Sequence, residues 1–291
     1  MDVIHHALIG GIGFIASIEE SELAGMAFVA GSIFPDLDVI FMLFGKRFYL
    51  KQHQAITHSL FLSPLFAFLI ISPTLFSSIF QWSFFIYAWL GVLIHIFLDY
   101  TNTYGIALLY PISDKRFSLD SIFFIDSVTL SLTFITYISY FLFQLDLSLP
   151  YFLSFILYLL FKISLRKRLK EMILFDFAIP SSLNPFEFYI YKKDNHSVKT
   201  YLYNSWNKSR RNIKIIDIVD DRYKNFTDKS QVFQDMRQIT KAFHITNISE
   251  TKQEIKIEAS DLAVRNYGGK FGTTVLIFDN KGGLKSEVAN I

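Results

Sequence analysis

HQAITHSLFLSPLFAFLI, residues 53–70, sets His53 and His58 directly against a run of hydrocarbon. That run is part of a longer one. Residues 52–98 contain no Asp, Glu, Lys or Arg, which is enough chain for two membrane passes of about 20 residues each. Pro73, Ser77, Ser78 and Gln81 offer the turn between them. The expected transmembrane helices therefore cover about 58–76 and about 82–100. A second pair is expected at about 122–144 and about 149–165, joined by QLDLSLP. Upstream, VIHHALIGGIGFIASI and LAGMAFVAGSIF are each short for a full pass and predict an N-terminal helical hairpin tipped by Glu19, Glu20 and Glu22. A re-entrant or interfacial hairpin and a pair of buried helices are both compatible with them.

Composition agrees with a membrane protein. The chain has 291 residues, 52% of them hydrophobic, with 32 Phe and a mean hydropathy of +0.33. That is more apolar than a soluble domain usually is. The charge is unevenly distributed. Residues 1–175 hold 10 Lys/Arg and 12 Asp/Glu, and residues 176–291 hold 18 and 14. The expected fold is thus a mostly α membrane domain over residues 1–170, with four transmembrane helices plus the N-terminal hairpin. A soluble β-rich α+β domain over residues 171–291 follows. Cysteine is absent, which excludes disulfides and thiolate metal ligands. The N-terminus lacks the basic n-region of a signal peptide and is read as retained. The net charge of +2 argues neither for nor against nucleic acid, and no nucleic-acid partner is expected.

The basic residues set an orientation. All ten of the first 175 residues fall at Lys46, Arg47 and Lys51, at Lys115 and Arg116, and between Lys162 and Lys170. With alternating helices these three places lie on one side, which the positive-inside rule makes cytoplasmic, together with the C-terminal domain.

Ligand-type residues collect at that same end. Five of the seven histidines lie in the first 95 residues. His5 and His6 open the first apolar stretch, and Asp36 and Asp38 close the second. His53 and His58 precede the third, His95 and Asp99 close the fourth with Asn102 after them, and Asp126 lies just inside the fifth. His95 and Asp99, four apart, share a helix face. Each piece alone has an ordinary reading as a helix cap or a satisfied polar residue. Jointly, imidazoles and carboxylates at one depth on different segments point to a metal centre, and that donor set suits Zn, Mn or Fe. Spacing does not choose between His5 and His6, since helical neighbours point about 100° apart. Asp126, within a membrane segment, is functional by default unless it only pairs with Arg116.

HHALIG, AGSIFPDLD, HQAITHS and GVLIHIFLDYTNTYGIALLYPIS resemble the blocks of the YdjM-like family of membrane-bound metal-dependent hydrolases. These are LexA-regulated inner-membrane proteins in some members. The blocks run His-Ala-Leu-x-Gly, Pro-Asp-x-Asp, His-Arg-x-x-Thr-His-Ser, and His-x-x-x-Asp followed by Thr and Gly. His6, Asp36, Asp38, His53, His58, His95, Asp99, Thr103 and Gly105 fit them, with Gln54 where the family carries Arg. The resemblance covers roughly residues 5–130. The C-terminal extension also resembles a longer YfhP-like subgroup. What the resemblance implies is a metal site similar to that of zinc-dependent phospholipase C. A divalent metal, zinc with two or more ions allowed, would be held by His6, Asp36, His53, His58, His95 and Asp99. Asp38 or Asp126 would act as general base or supporting carboxylate. The expected activity is hydrolysis of a phosphoester on a membrane lipid or amphiphile at the cytoplasmic face. Arg116 or Lys115 would stand in for the missing arginine in gripping an anion.

Other classes fit less well. An intramembrane metalloprotease needs His-Glu-x-x-His, but His58 is followed by SLFL and His95 by IFLD. An acid-phosphatase-type lipid phosphatase shares His-x-x-x-Asp, but its Lys-x6-Arg-Pro and Pro-Ser-Gly-His motifs are absent. A metal transporter or sensor without turnover would place its ligands near the midplane rather than at helix ends.

In the C-terminal region, FEFYIYKKDNHSVKTYLYNSW predicts a hairpin around His196, and residues 253–288 predict three strands broken at YGGKFG and DNKGG. SQVFQDMRQITKAF, apolar at Val232, Phe233, Met236, Ile239 and Phe243, predicts an amphipathic helix. His196 and His244 are read as structural, and no catalytic constellation is expected in this region.

Overall fold

The computed structural model describes residues 3–123, 125–194, 197–220, 223–240, 242–262 and 272–290. His196 and most of YGGKFG lie outside the described residues. The chain divides into two compact units, residues 1–169 with 180–186, and residues 170–179 with 187–291.

The first unit is helical. Helices α1 (Val3–Ser17) and α2 (Glu22–Ile33) form the N-terminal hairpin. The second does not stop at Pro35. It tightens into a 3-10 helix, Phe34–Phe44, because proline has no N–H to continue the α ladder and its ring crowds the preceding turn. Helix α3 (Lys46–Gln52) follows, then turns across residues 53–62, then α4 (Ser63–Ile71) and α5 (Trp82–Thr101). Helices α6 (Ser127–Phe143) and α7 (Ser148–Met172) complete the unit.

Among the described residues, three segments are long and apolar enough to cross a membrane: Glu22–Phe44, Trp82–Thr101 and Ser148–Met172. The distribution differs from the sequence reading. The expected span at 58–76 contains only Ser63–Thr74 in helical form. Pro64 starts that helix and Pro73 turns it into a 3-10 end, as their fixed φ and missing N–H dictate. The expected span at 122–144 shortens to Ser127–Phe143, between the Asp126 cap and Gln144 in the left-handed region at φ 54. Conversely, the N-terminal hairpin supplies a 23-residue candidate span.

Helix α5 is the axis of this unit. Ala88 and Phe84 pack with Ala24, Ala27, Ala67 and Ile71 of α2 and α4. Leu98 packs with Ile9 and Ile12 of α1 and with Phe155 and Leu159 of α7. The α2–α5 crossing is a backbone contact: a Cβ on Gly31 would lie 2.1 Å from Ala88 O, and one on Gly91 2.2 Å from Phe28 O. Outer faces remain apolar and exposed, including Leu65, Phe68, Ile138, Leu142, Leu153 and Leu157. Exposed apolar area on that scale needs a covering, which a bilayer provides.

The second unit holds two four-stranded antiparallel meanders, β1 (Phe177–Pro180) to β4 (Arg210–Asp217) and β5 (Phe243–Glu250) to β8 (Leu284–Asn290). The predicted hairpin is β2 (Glu187–Lys193) against β3 (Ser197–Asn204), with Tyr189 opposite Leu202. The three predicted later strands are β6 (Glu254–Asp261), β7 (Thr273–Asp279) and β8. Strands β1, β4 and β5 were not anticipated. Between the sheets lie the one-turn α8 (Lys224–Thr227) and the predicted amphipathic helix, α9 (Gln231–Ile239). It is capped by Ser230, whose Oγ accepts from Phe233 N at 3.0 Å. Ser230→Ala should cost about 1 kcal/mol, read as a lowered unfolding midpoint of this unit. His244 bridges the sheets, with Nε2 2.6 Å from Tyr191 Oη and Nδ1 2.6 Å from Asp220. Burial raises the Asp220 pKa, but its bonds to His244 and the Ile245 amide win and hold it below the usual carboxylate range.

Candidate metal centre

The centre forms at one end of the helical unit, where α1 begins, α2 passes into its 3-10 continuation and α5 ends. His6, Asp36, His95 and Asp99 each bring a ligand atom, and these atoms all lie within 4.8 Å of one another. His6, His95 and Asp99 are buried.

Asp99 is the hub. His6 Nε2 lies 3.1 Å from its Oδ1 and His58 Nε2 3.0 Å from its Oδ2. His95 Nε2 is 3.7 Å from Asp99 Oδ2 and 3.7 Å from Asp36 Oδ1. The rings of His6 and His95 stack at 3.7 Å between centroids.

His95 shows how backbone packing sets chemistry. Because α2 and α5 touch at Gly31 and Gly91, Ser32 O comes within 2.7 Å of His95 Nδ1. A carbonyl only accepts, so Nδ1 carries the proton and Nε2 of the neutral ring presents a lone pair. That lone pair faces His58 Nε2 at 3.1 Å. Imidazole nitrogens and carboxylate oxygens thus converge on one spot. Such a donor set could hold a divalent cation.

The sequence-predicted residues therefore separate into groups. His6, Asp36, His95 and Asp99 are brought together, with His58 in contact through Asp99 and His95. His6, not His5, faces the cluster. His53 does not join it. Its Nδ1 lies 3.0 Å from both oxygens of Asp38, and its side chain is 35% exposed. Asp38 also accepts from Gln54 N at 2.9 Å and from Thr57 Oγ1, which in turn lies 3.0 Å from His58 Nδ1. Asp126 is not among the residues gathered at the centre. It caps α6, accepting from Val128 N at 3.0 Å and Thr129 N at 3.2 Å, and takes the Tyr158 hydroxyl at 2.9 Å.

Arg116 closes the rim. Its Nη2 donates to His53 O at 2.7 Å, and its Nη1 to Gly105 O at 3.3 Å and Gln54 Oε1 at 3.4 Å. Gln54 Nε2 in turn reaches Asp99 Oδ2 at 3.4 Å. Gly105, at φ +76, makes the turn that brings Phe117 back against Ile106 and Arg116 to the site. Burial lowers the Arg116 pKa and the Asp38 charge counters it. Ser32 O was missed from the sequence, because a backbone acceptor carries no residue signal.

Comparison with known proteins agrees with this architecture. The sequence profile of the YdjM inner membrane protein family matches residues 1–169. The Bacillus subtilis (strain 168) protein described as "Uncharacterized protein YfhP" is 27% identical over 132 residues. That similarity spans 41% of this chain and 40% of the relative's own length. No solved structure matches the chain. With a helical membrane unit and a His/Asp centre at one end of it, the chain belongs to the YdjM inner membrane protein family.

Proposed function

We propose that the protein is a membrane-bound metal-dependent hydrolase, acting on a phosphoester of a lipid or amphiphile headgroup at the cytoplasmic face. The observation that carries this reading is the convergence of His6, Asp36, His95 and Asp99, with His58, at one end of the helical unit. In this reading the basic residues at that end, by the positive-inside rule, favour the cytoplasmic side for the centre and for the C-terminal unit. In this reading His6, Asp36, His58, His95 and Asp99 hold the cation, with zinc the first choice for imidazole-rich sites. A bound divalent cation supplies Lewis-acid polarisation and water acidification.

The chain's own groups do the rest. Asp38 accepts a hydrogen bond from His53 Nδ1–H and fixes the ring, leaving Nε2 as the atom for proton transfer. Arg116 holds the 53–54 turn by its carbonyl, although Gln54 lies in the left-handed region at φ 57. Its guanidinium adds positive charge where a phosphoryl group would approach. His53→Gln is expected to keep the metal and lower kcat about 100-fold or more. Loss of metal in that variant would instead make His53 a ligand.

The test is metal analysis of detergent-purified protein, paired with hydrolysis of generic phosphoesters and with metal flux in proteoliposomes. Hydrolysis that requires the metal supports the reading. Flux without hydrolysis would replace it with transport.

A further inference from the structure

Beside the centre runs an apolar groove between α1, α5 and α7, with a cavity volume of about 80 Å³. Ile9, Ile94, Leu98, Phe152, Phe155 and Ile156 line it. The Tyr151 ring adds to the wall, while its hydroxyl accepts from Thr133 Oγ1 of α6 at 3.2 Å. A polar headgroup would find no hydrogen-bond partner among these side chains, so only hydrocarbon fits without a desolvation cost.

Two features connect this groove to the site. Ile9 lies three residues past His6 on α1, and Ile94 and Leu98 immediately precede His95 and Asp99 on α5. The same two helices thus carry ligands on one flank and groove wall on the next. Phe97 and Ile156 at its edge are 36% and 48% exposed, so the groove is open on the apolar outer surface, where lipid lies. From Asp99 back to Ile94 is five residues, about 7.5 Å along the helix.

We infer that this groove is the acyl-chain site of an amphiphilic substrate, whose ester is held at the metal centre while one tail lies between α1, α5 and α7. The inference rests on the hydrolase reading for the role of the tail, but the groove's occupancy can be measured without turnover. It makes the substrate a lipid with a flexible hydrocarbon tail rather than a water-soluble phosphoester.

The probe is a phosphatidic-acid analogue with a diazirine in its acyl chain, added to the full-length, metal-loaded protein in phosphatidylcholine nanodiscs. Photolabelling is mapped by peptide mass spectrometry. Label concentrated on the groove-lining residues of α1, α5 and α7 is the expected result. Ile156→Trp, which fills the groove mouth, should reduce that label several-fold. Leu157→Trp, on the exposed face of the same helix, should leave it unchanged. Label spread evenly over the exposed apolar faces, in wild type, would mean ordinary surrounding lipid and would overturn the proposal even if the variants did not fold. For an active enzyme, KM for short-chain substrates dissolved as monomers in water should fall about four-fold per methylene until the groove is full. Labelling in the groove without any hydrolysis would retain the lipid site and sink the hydrolase; hydrolysis indifferent to chain length would do the reverse.

Discussion

Asp99→Asn is expected to strip the protein of bound metal and of turnover together. The side chain keeps its volume, so packing around α5 is preserved. What changes is the charge and the hydrogen-bond sense at the hub. Asp99 now meets His6 and His58 at 3.1 and 3.0 Å and has His95 at 3.7 Å. An amide there would put an N–H donor among imidazole nitrogens and remove the negative charge that offsets a cation. Partners that only support a ligand already cost 10–100-fold in metal affinity when lost, so losing the shared carboxylate should cost more than about 100-fold. Metal content of the purified variant is the measurement, with unfolding in detergent as the control for folding. Asp126→Asn is the companion. Asparagine caps helices nearly as well as aspartate, so the metal should stay in place. Full metal retention in Asp99→Asn would remove the centre as drawn.

Much of this centre was legible in the sequence, for a specific reason. Side chains that a membrane helix cannot easily hide stand out against hydrocarbon, so His6, Asp36, His58, His95 and Asp99 were each visible in an apolar setting. Their shared end followed from counting helices and basic residues. The division between ligands and helpers was not legible. His53 and His58 sit in one heptapeptide, HQAITHS, yet Asp38 takes the first and Asp99 the second. That choice depends on turns across residues 53–62, whose second half the expected helix from about 58 had taken in. Asp126 was open for a related reason: a carboxylate at a helix start is a cap as readily as an acid, and the Val128 and Thr129 amides show the cap.

Helix lengths were missed through proline. Asp36 and Asp38 were read as closing the second apolar stretch, but the chain continues through Pro35 as a 3-10 helix and produces a 23-residue apolar segment. Pro64 and Pro73 work oppositely, cutting a long apolar run to a short helix. Hydropathy is blind to both effects, because it registers neither a fixed φ nor a missing N–H. In the second unit, β4 was missed because its residues are mostly exposed and include Arg210, Arg211 and Lys214, with Ile213 and Ile215 52% and 68% exposed on an edge strand. Its alternation NIKIID was the signal available.

Gly91→Val should unfold the α2–α5 crossing and, with it, empty a metal centre that the substituted residue never touches. A Cβ at this position would meet Phe28 O at 2.2 Å and Ser32 N at 2.9 Å. Both are backbone atoms, so no rotamer change relieves the clash, and the two helices must separate. Overpacking costs about 1–3 kcal/mol where side chains can adjust; here the cost should reach or exceed the upper end. Separation carries a chemical consequence. Ser32 O moves from His95 Nδ1, now 2.7 Å away, and the ring loses the bond that fixes its tautomer. It also draws Asp36, on the continuation of α2, from His95 and Asp99 on α5. Sites of this kind tolerate displacements of only about 0.5 Å. Thermal unfolding and metal content should therefore fall together in Gly91→Val. Leu90→Ala, at a 43% exposed neighbour on the same helix, should move stability by no more than about 0.5 kcal/mol and keep the metal. A destabilised Gly91→Val that still bound metal at wild-type stoichiometry would show that the ligands are held by something other than this crossing, and would shift the burden to the turns around His58.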